Sequence, residues 1–250
     1  MGSSVNHRPS TIQEERTQKS DITITGNEGE FSAYIAKPES GIGPGLVLIQ
    51  EIFGVNQLMR NLCDCFAAQG YITACPDLFW RIEPGMQLTD KTGAELNQAF
   101  EFMNKFLPEF EKGHADPQAT VAHLRGFDDC AEKVGCLGYC LGGSLAYSLA
   151  CSSDIDASVR YYPVQIDDYL PYAEQIKNPA LFHVAKNDGF CPAESRSAIA
   201  EAFSTNDNVT LHNYTGADHA FARLGGGNYD QESADLANGR TAQFFKPALS

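Results

Sequence analysis

The chain has 250 residues, 43% of them apolar and 20% charged, a balance that suits one soluble globular domain with a sizeable core and excludes a disordered chain. A formal charge of -14 excludes nucleic acid as a partner, because phosphates are held by clustered Lys and Arg. It leaves room for a small anionic ligand held by local arginines, since surface charge is screened beyond about 8 Å.

Residues 1–20 are polar and lack apolar periodicity, so they read as a loose extension. The segment from Met1 to Asp21 has no signal-peptide apolar block, and no apolar run is long enough to span a membrane; the expected place is the cytoplasm, away from membranes. The domain is expected over residues 21–250. It opens with two alternating segments, Asp21 to Thr25 and Phe31 to Ala36, around Gly26-Asn27-Glu28-Gly29, which is a hairpin and predicts an antiparallel edge.

From Gly45 onward, short continuous apolar runs alternate with amphipathic ones. The strands are predicted at Leu46 to Gln50, Tyr71 to Cys75, Lys133 to Leu137, Ala157 to Tyr161, Ala180 to Ala185 and Val209 to Tyr214. The helices are predicted at Asn56 to Gln69, Gly93 to Phe106, Pro117 to Ala131, Leu141 to Cys151, Pro192 to Phe203 and Gln231 to Phe245. This alternation predicts a single-domain α/β fold, a mostly parallel sheet with helices on both faces. Lys105 to Pro117, with two prolines and a glycine, reads as a mobile or lid-like connection.

Ligand sites in such sheets lie beyond the carboxyl ends of the strands. Gly138-Tyr139-Cys140-Leu141-Gly142-Gly143 falls there, between a strand and a helix, and is a G-x-C-x-G nucleophile elbow with cysteine in the place of serine. A thiol at a helix amino terminus meets the positive end of the helix dipole, which favours the thiolate. Asp188 follows the next-to-last strand and His219 the last, giving the order nucleophile, acid, histidine. Asp218 is a rival to Asp188, although its neighbouring place in the chain turns its side chain elsewhere. The remaining histidines read as solvated or hydrogen-bonded side chains. The eight cysteines read as thiols, with no zinc-site spacing among them, so neither metal nor cofactor is expected.

With these residues in view, the sequence from about Asp21 to Phe245 resembles the dienelactone hydrolase (carboxymethylenebutenolidase) family. The resemblance rests on Gln50-Glu51-Ile52-Phe53-Gly54, Pro76-Asp77-Leu78-Phe79, Arg81, the Cys140 elbow and His219-Ala220-Phe221-Ala222-Arg223. It implies a Cys140, His219 and Asp188 triad, Glu51 against the resting thiol, and Leu141 and Ile52 N–H groups for the oxyanion. It also implies that Phe53 contacts the substrate while Arg81 and Arg223 hold its carboxylate. The implied reaction is hydrolysis of a small lactone or enol ester, dienelactone to maleylacetate, through a thioester. The rival readings are a general carboxylesterase or thioesterase of the same fold, and a non-catalytic hydrolase-fold binding protein. Glu51 has a plainer alternative place as a cap on the helix beginning near Asn56.

Overall fold

The computed structural model describes residues 18–250; most of the expected loose extension lies outside the described residues. The hairpin comes first, as β1 (Gln18–Gly26) and β2 (Gly29–Lys37) in antiparallel register. Gln18 to Ser20 already pair with Lys37 to Ile35, so the ordered strand begins earlier than the expected domain start.

β2 also pairs antiparallel with β4 (Ile72–Pro76), and from there the sheet is parallel. The remaining strands are β3 (Gly43–Ile49), β5 (Cys130–Tyr139), β6 (Ala157–Tyr161), β7 (Ala180–Ala185) and β8 (Val209–Tyr214). The eight strands run in the order β1-β2-β4-β3-β5-β6-β7-β8. Leu46 to Ile49, Val134 to Tyr139, and all of β6 and β7 are buried, as strands covered on both faces must be. The exposed positions of β8 mark it as an edge.

The helices are α1 (Gln57–Ala68), α2 (Gly93–Phe106), α3 (Phe110–Arg125), α4 (Leu141–Ser152), α5 (Ala193–Ala202) and α6 (Gln231–Ala248). In α1, Met59, Cys63, Phe66 and Ala67 form the buried stripe that helical periodicity demands. α2 starts with a Thr92 cap: the Thr92 hydroxyl accepts the Glu95 N–H at 3.2 Å while the Glu95 carboxylate accepts the hydroxyls of Thr92 and Thr89. None of the helices among the described residues is long and apolar enough to cross a membrane.

The expected mobile connection at Lys105 to Pro117 is helical instead. A 3-10 turn at Leu107–Glu109 admits Pro108 near its start, and α3 follows at once with Pro117 inside it. Aromatic packing overrides the breakers: Phe106 lies edge-on to Phe79 and Phe110, with ring centroids 5.6 and 6.3 Å apart. A second unforeseen element, the 3-10 segment Ile166–Gln175, follows β6.

The loop after β3 is tied down by Asn56, whose side-chain carbonyl caps α1 by accepting the Met59 N–H at 3.1 Å while its amide donates to the Leu88 carbonyl at 2.9 Å. The Leu88 N–H returns a bond to the Phe53 carbonyl. Asn56→Ala is therefore expected to cost about 1–2 kcal/mol, the worth of a good helix cap, read as a lower denaturation midpoint. An unchanged midpoint would show that the cap contributes nothing.

Candidate active site

β5 delivers the chain into a reversal at Cys140, whose backbone sits at φ 54°, ψ -117°. A side-chain-bearing residue there costs about 1–3 kcal/mol unless its surroundings hold it. They do: the Cys140 N–H donates to the Tyr161 carbonyl at 3.1 Å, and the Cys140 carbonyl accepts the Gly143 N–H at 2.9 Å. The flanking glycines are sterically required. A Cβ on Gly142 would collide with the Ile49 and Gln50 carbonyls, and one on Gly138 with the Gly142 backbone. α4 begins at the next residue without a side-chain cap, so the thiol sits at the positive end of a helix dipole.

Cys140, His219 and Asp188 are buried, at 5%, 7% and 3% exposure, and the structure brings them together. The His219 Nδ1–H donates to Asp188 Oδ2 at 2.8 Å, while Asp188 Oδ1 accepts the Phe190 N–H at 2.8 Å. Holding one ring nitrogen leaves the other for Cys140, which shares a cavity wall with the imidazole. Asp218 is removed as a rival because its carboxylate accepts the backbone N–H of His219 at 2.6 Å. Phe190 and Tyr162 flank the imidazole with ring centroids 4.8 and 5.1 Å away, and Asn228 fixes the His219 carbonyl.

Burial alone would lower the pKa of His219. The charge that a Cys140 thiolate would carry beside it, together with the charge and hydrogen bond of Asp188, outweighs that and pushes it up to about 10. The arrangement can thus hold an imidazolium beside a thiolate, the state that activates a sulfur nucleophile. Burial raises the Cys191 thiol to about 11, with Asp188 adding repulsion, and raises Cys136 to about 12.

Among the described residues, no backbone acceptor is engaged by the Leu141 or Ile52 N–H groups. Ile52 lines the cavity on which Cys140 and His219 open. That cavity measures about 560 Å³, and Phe53, Leu96, Phe100, Met103, Val164 and Phe190 give it a largely apolar wall. Strained backbone concentrates here. Of the four non-glycine residues with positive φ among those described, Cys140, Gln165 and Ala220 line the cavity and Tyr162 packs on His219, a clustering typical of functional sites.

Glu51 lies behind the cavity wall in a paired fork: the Arg223 Nε–H and Nη2–H donate to its two oxygens at 2.7 and 3.0 Å. The Arg223 Nη1–H donates to Asp90 at 3.0 Å, and the guanidinium lies over the Phe53 ring. Among the described residues, no hydrogen bond joins Glu51 to Cys140 in this structure. Glu51 is not the cap of α1, because Asn56 fills that position.

Arg81 is not where the sequence placed it. Its guanidinium forks onto buried Asp116 at 2.7 and 3.1 Å, reaches Glu28 at 3.0 Å and stacks on Trp80. It lines a different, smaller cavity with Leu78, Ile82 and Phe106. Position after a strand had suggested the site edge, but the ion pair with a residue on α3 turns the side chain away. Conversely, Asp90 was missed. It sits in an irregular stretch before the Thr92 cap, where an aspartate reads as turn chemistry.

A model of the dienelactone hydrolase family matches residues 31–249 of this chain. The chain is 51% identical over 232 residues to a protein of Azospirillum brasilense that bears the provisional name carboxymethylenebutenolidase, covering 92% of this chain and 99% of that one. With the carboxymethylenebutenolidase of Pseudomonas putida it shares 37% identity over 230 residues, covering 92% and 97% of the two chains. Among solved structures, a provisionally named dienelactone hydrolase of Klebsiella pneumoniae superposes with a TM-score of 0.80 at 23% identity, over 92% of this chain and 98% of that one. That likeness speaks to the fold.

The raised pKa of His219 sets a sign for stability. Its folded value lies above the ordinary 6.5, so the stabilisation of the imidazolium by Cys140 and Asp188 is fully present below that ordinary value and is lost as pH rises through about 10. Asp188→Asn is expected to cost about 3 kcal/mol, as breaking a buried pair does, with the larger melting-temperature deficit at pH 6 than at pH 10.5. A deficit that grows with pH would mean that His219 is neutral in the fold.

Proposed function

Because the chain belongs to the dienelactone hydrolase family, we propose that it opens small lactones or enol esters by covalent catalysis at Cys140, with His219 as base and Asp188 as orienting acid. The protein is a hydrolase of the carboxylic ester class. The observation that carries the finer reading is the Cys140 thiol at a strained elbow, beside an imidazole fixed by Asp188, at the floor of an apolar cavity.

In the proposed course, the Cys140 sulfur attacks the substrate carbonyl carbon. The developing oxyanion is received by the Leu141 and Ile52 N–H groups, an interaction worth about 3 kcal/mol per donor when lost. Collapse breaks the ring C–O bond, and its electron pair leaves as an enolate, which takes from His219 the proton that the imidazole had received from the thiol and becomes the ketone. An enolate leaves far more readily than an alkoxide, so no strong general acid is required. Water then attacks the thioester, giving its proton to His219, and the carboxylate product departs as the thiol is restored. Dienelactone opening to maleylacetate is the reference reaction for this chemistry, and no metal or cofactor enters it.

Glu51 joins the proposal as a group that exchanges partners. On Arg223, as in this structure, it leaves the thiolate undisturbed; turned to Cys140, it would repel the thiolate and keep the sulfur protonated between turnovers. Cytoplasmic residence is also proposed, supported by eight free thiols and no disulfide, the pattern of a reducing compartment.

Cys140→Ala is expected to reduce kcat for an enol lactone and for an aryl acetate by far more than tenfold, with the fold retained. A residual rate above about a tenth, a barrier rise of less than 1.4 kcal/mol, would remove Cys140 from the nucleophile's role. Glu51→Gln is expected to change the pH profile of Cys140 alkylation and to slow lactone turnover. Unchanged profile and turnover would leave Glu51 a structural partner of Arg223. The size of the cavity also admits a general carboxylesterase or thioesterase, and a kcat/KM panel of lactones, aryl esters and thioesters ranks the readings.

A further inference from the structure

The charges around the cavity do not balance in favour of an anion. Arg223 is the one Lys or Arg on its wall among the described residues; the wall also carries Asp90, bonded to Arg223, and Asp218, and Glu51 is bonded to Arg223 as well. Two carboxylates, Glu51 and Asp90, are therefore bonded to one guanidinium, and Asp218 adds a further acid to the same cavity wall. The Cys140 and His219 couple adds no net charge, whether it is thiol with imidazole or thiolate with imidazolium. Arg81 supplies nothing, being engaged by Asp116 and Glu28 outside the cavity.

α2 contributes Leu96, Phe100 and Met103 to the wall, spaced as one helical face, and all three are apolar. A substrate carboxylate entering here would lose its hydration against this surface and meet a cation already compensated. If Glu51 turned away, Asp90 would still hold the guanidinium at Nη1. Arg223 retains N–H donors beyond the three in use, enough to bind a neutral carbonyl or ether oxygen.

We propose that this cavity, on the reading of it as the ester- and lactone-opening site, selects neutral, largely apolar substrates over carboxylate-bearing ones, and that Asp90 sets the preference by compensating Arg223. Asp90 is a specificity determinant acting through Arg223. The charge change of the reaction fits: a neutral ester or lactone enters, a carboxylate is formed, and the acidic wall that disfavours anions speeds its release.

The test uses two enol lactones of the same five-membered ring, one carrying an exocyclic methylene group and the other a carboxymethylene group. Each kcat/KM is divided by the lactone's own alkaline hydrolysis rate. In parallel, each lactone's protection of Cys140 against iodoacetamide reports occupancy of the cavity without turnover. The wild type is expected to favour the neutral lactone by about tenfold or more in both measurements, and Asp90→Asn to shift the ratio toward the carboxylate by about tenfold, with Asp90→Glu keeping the wild-type ratio. If the carboxylate lactone is turned over or protects as well as the neutral one, or if Asp90→Asn leaves the ratio unchanged, the selectivity is overturned while the lactone-opening reading stands. If neither is hydrolysed but the neutral one alone protects Cys140, the lactone-opening reading fails and the selectivity holds. Protection by neither overturns the selectivity as well.

Discussion

The chain reversal at Cys140 is the constraint on which the rest of the site depends. A cysteine at φ 54° is costly in isolation, and it is held by the parallel pairing of β5 with β6, by the start of α4 and by glycines that let α4 approach the ends of β3 and β5. Remove the close approach and Cys140 no longer shares a cavity with Ile52. The strain is local, but its support comes from the most deeply buried strands of the sheet.

Around that fixed point, burial and charge oppose each other in a graded way. The same low-polarity interior that pushes Cys136 to about 12 and Cys191 to about 11 would also neutralise His219, were it not for Asp188 on one side and the sulfur on the other. The carboxylate, held at both oxygens, fixes the imidazole between the two. Arginine is treated in a parallel way on two sides of the molecule. Arg81 and Arg223 each fork onto a buried carboxylate and stack on an aromatic ring, a use of the planar guanidinium that lysine could not reproduce. Only Arg223 does so at the cavity.

Legibility tracked the range of the forces involved. Short continuous apolar runs marked the parallel strands because burial on both faces leaves a local pattern, and the elbow was legible because its glycines answer a local steric demand. The residues just past each strand end were legible too, which put Cys140, Asp188 and His219 on one edge. The helical Lys105 to Pro117 stretch could not be read, since its order comes from Phe79, more than a helix away in the chain. Arg81 and Asp90 failed for the same reason: a guanidinium's partner lies 35 residues away in one case and 133 in the other. Local pattern says that a charge is present; only the fold says which opposite charge claims it.

The claim at the centre is that an acyl group resides on Cys140 during turnover. The most direct measurement is a rapid acid quench of the His219→Ala variant, in which water attack on the thioester is slowed, during reaction with an activated aryl ester, with mass mapping of the cysteine peptides after the quench. The expected result is one acyl mass on the peptide bearing Cys140, formed with a stoichiometric burst of phenol. An acyl mass on Cys191 or another side chain, or a phenol burst with no covalent adduct, would contradict it.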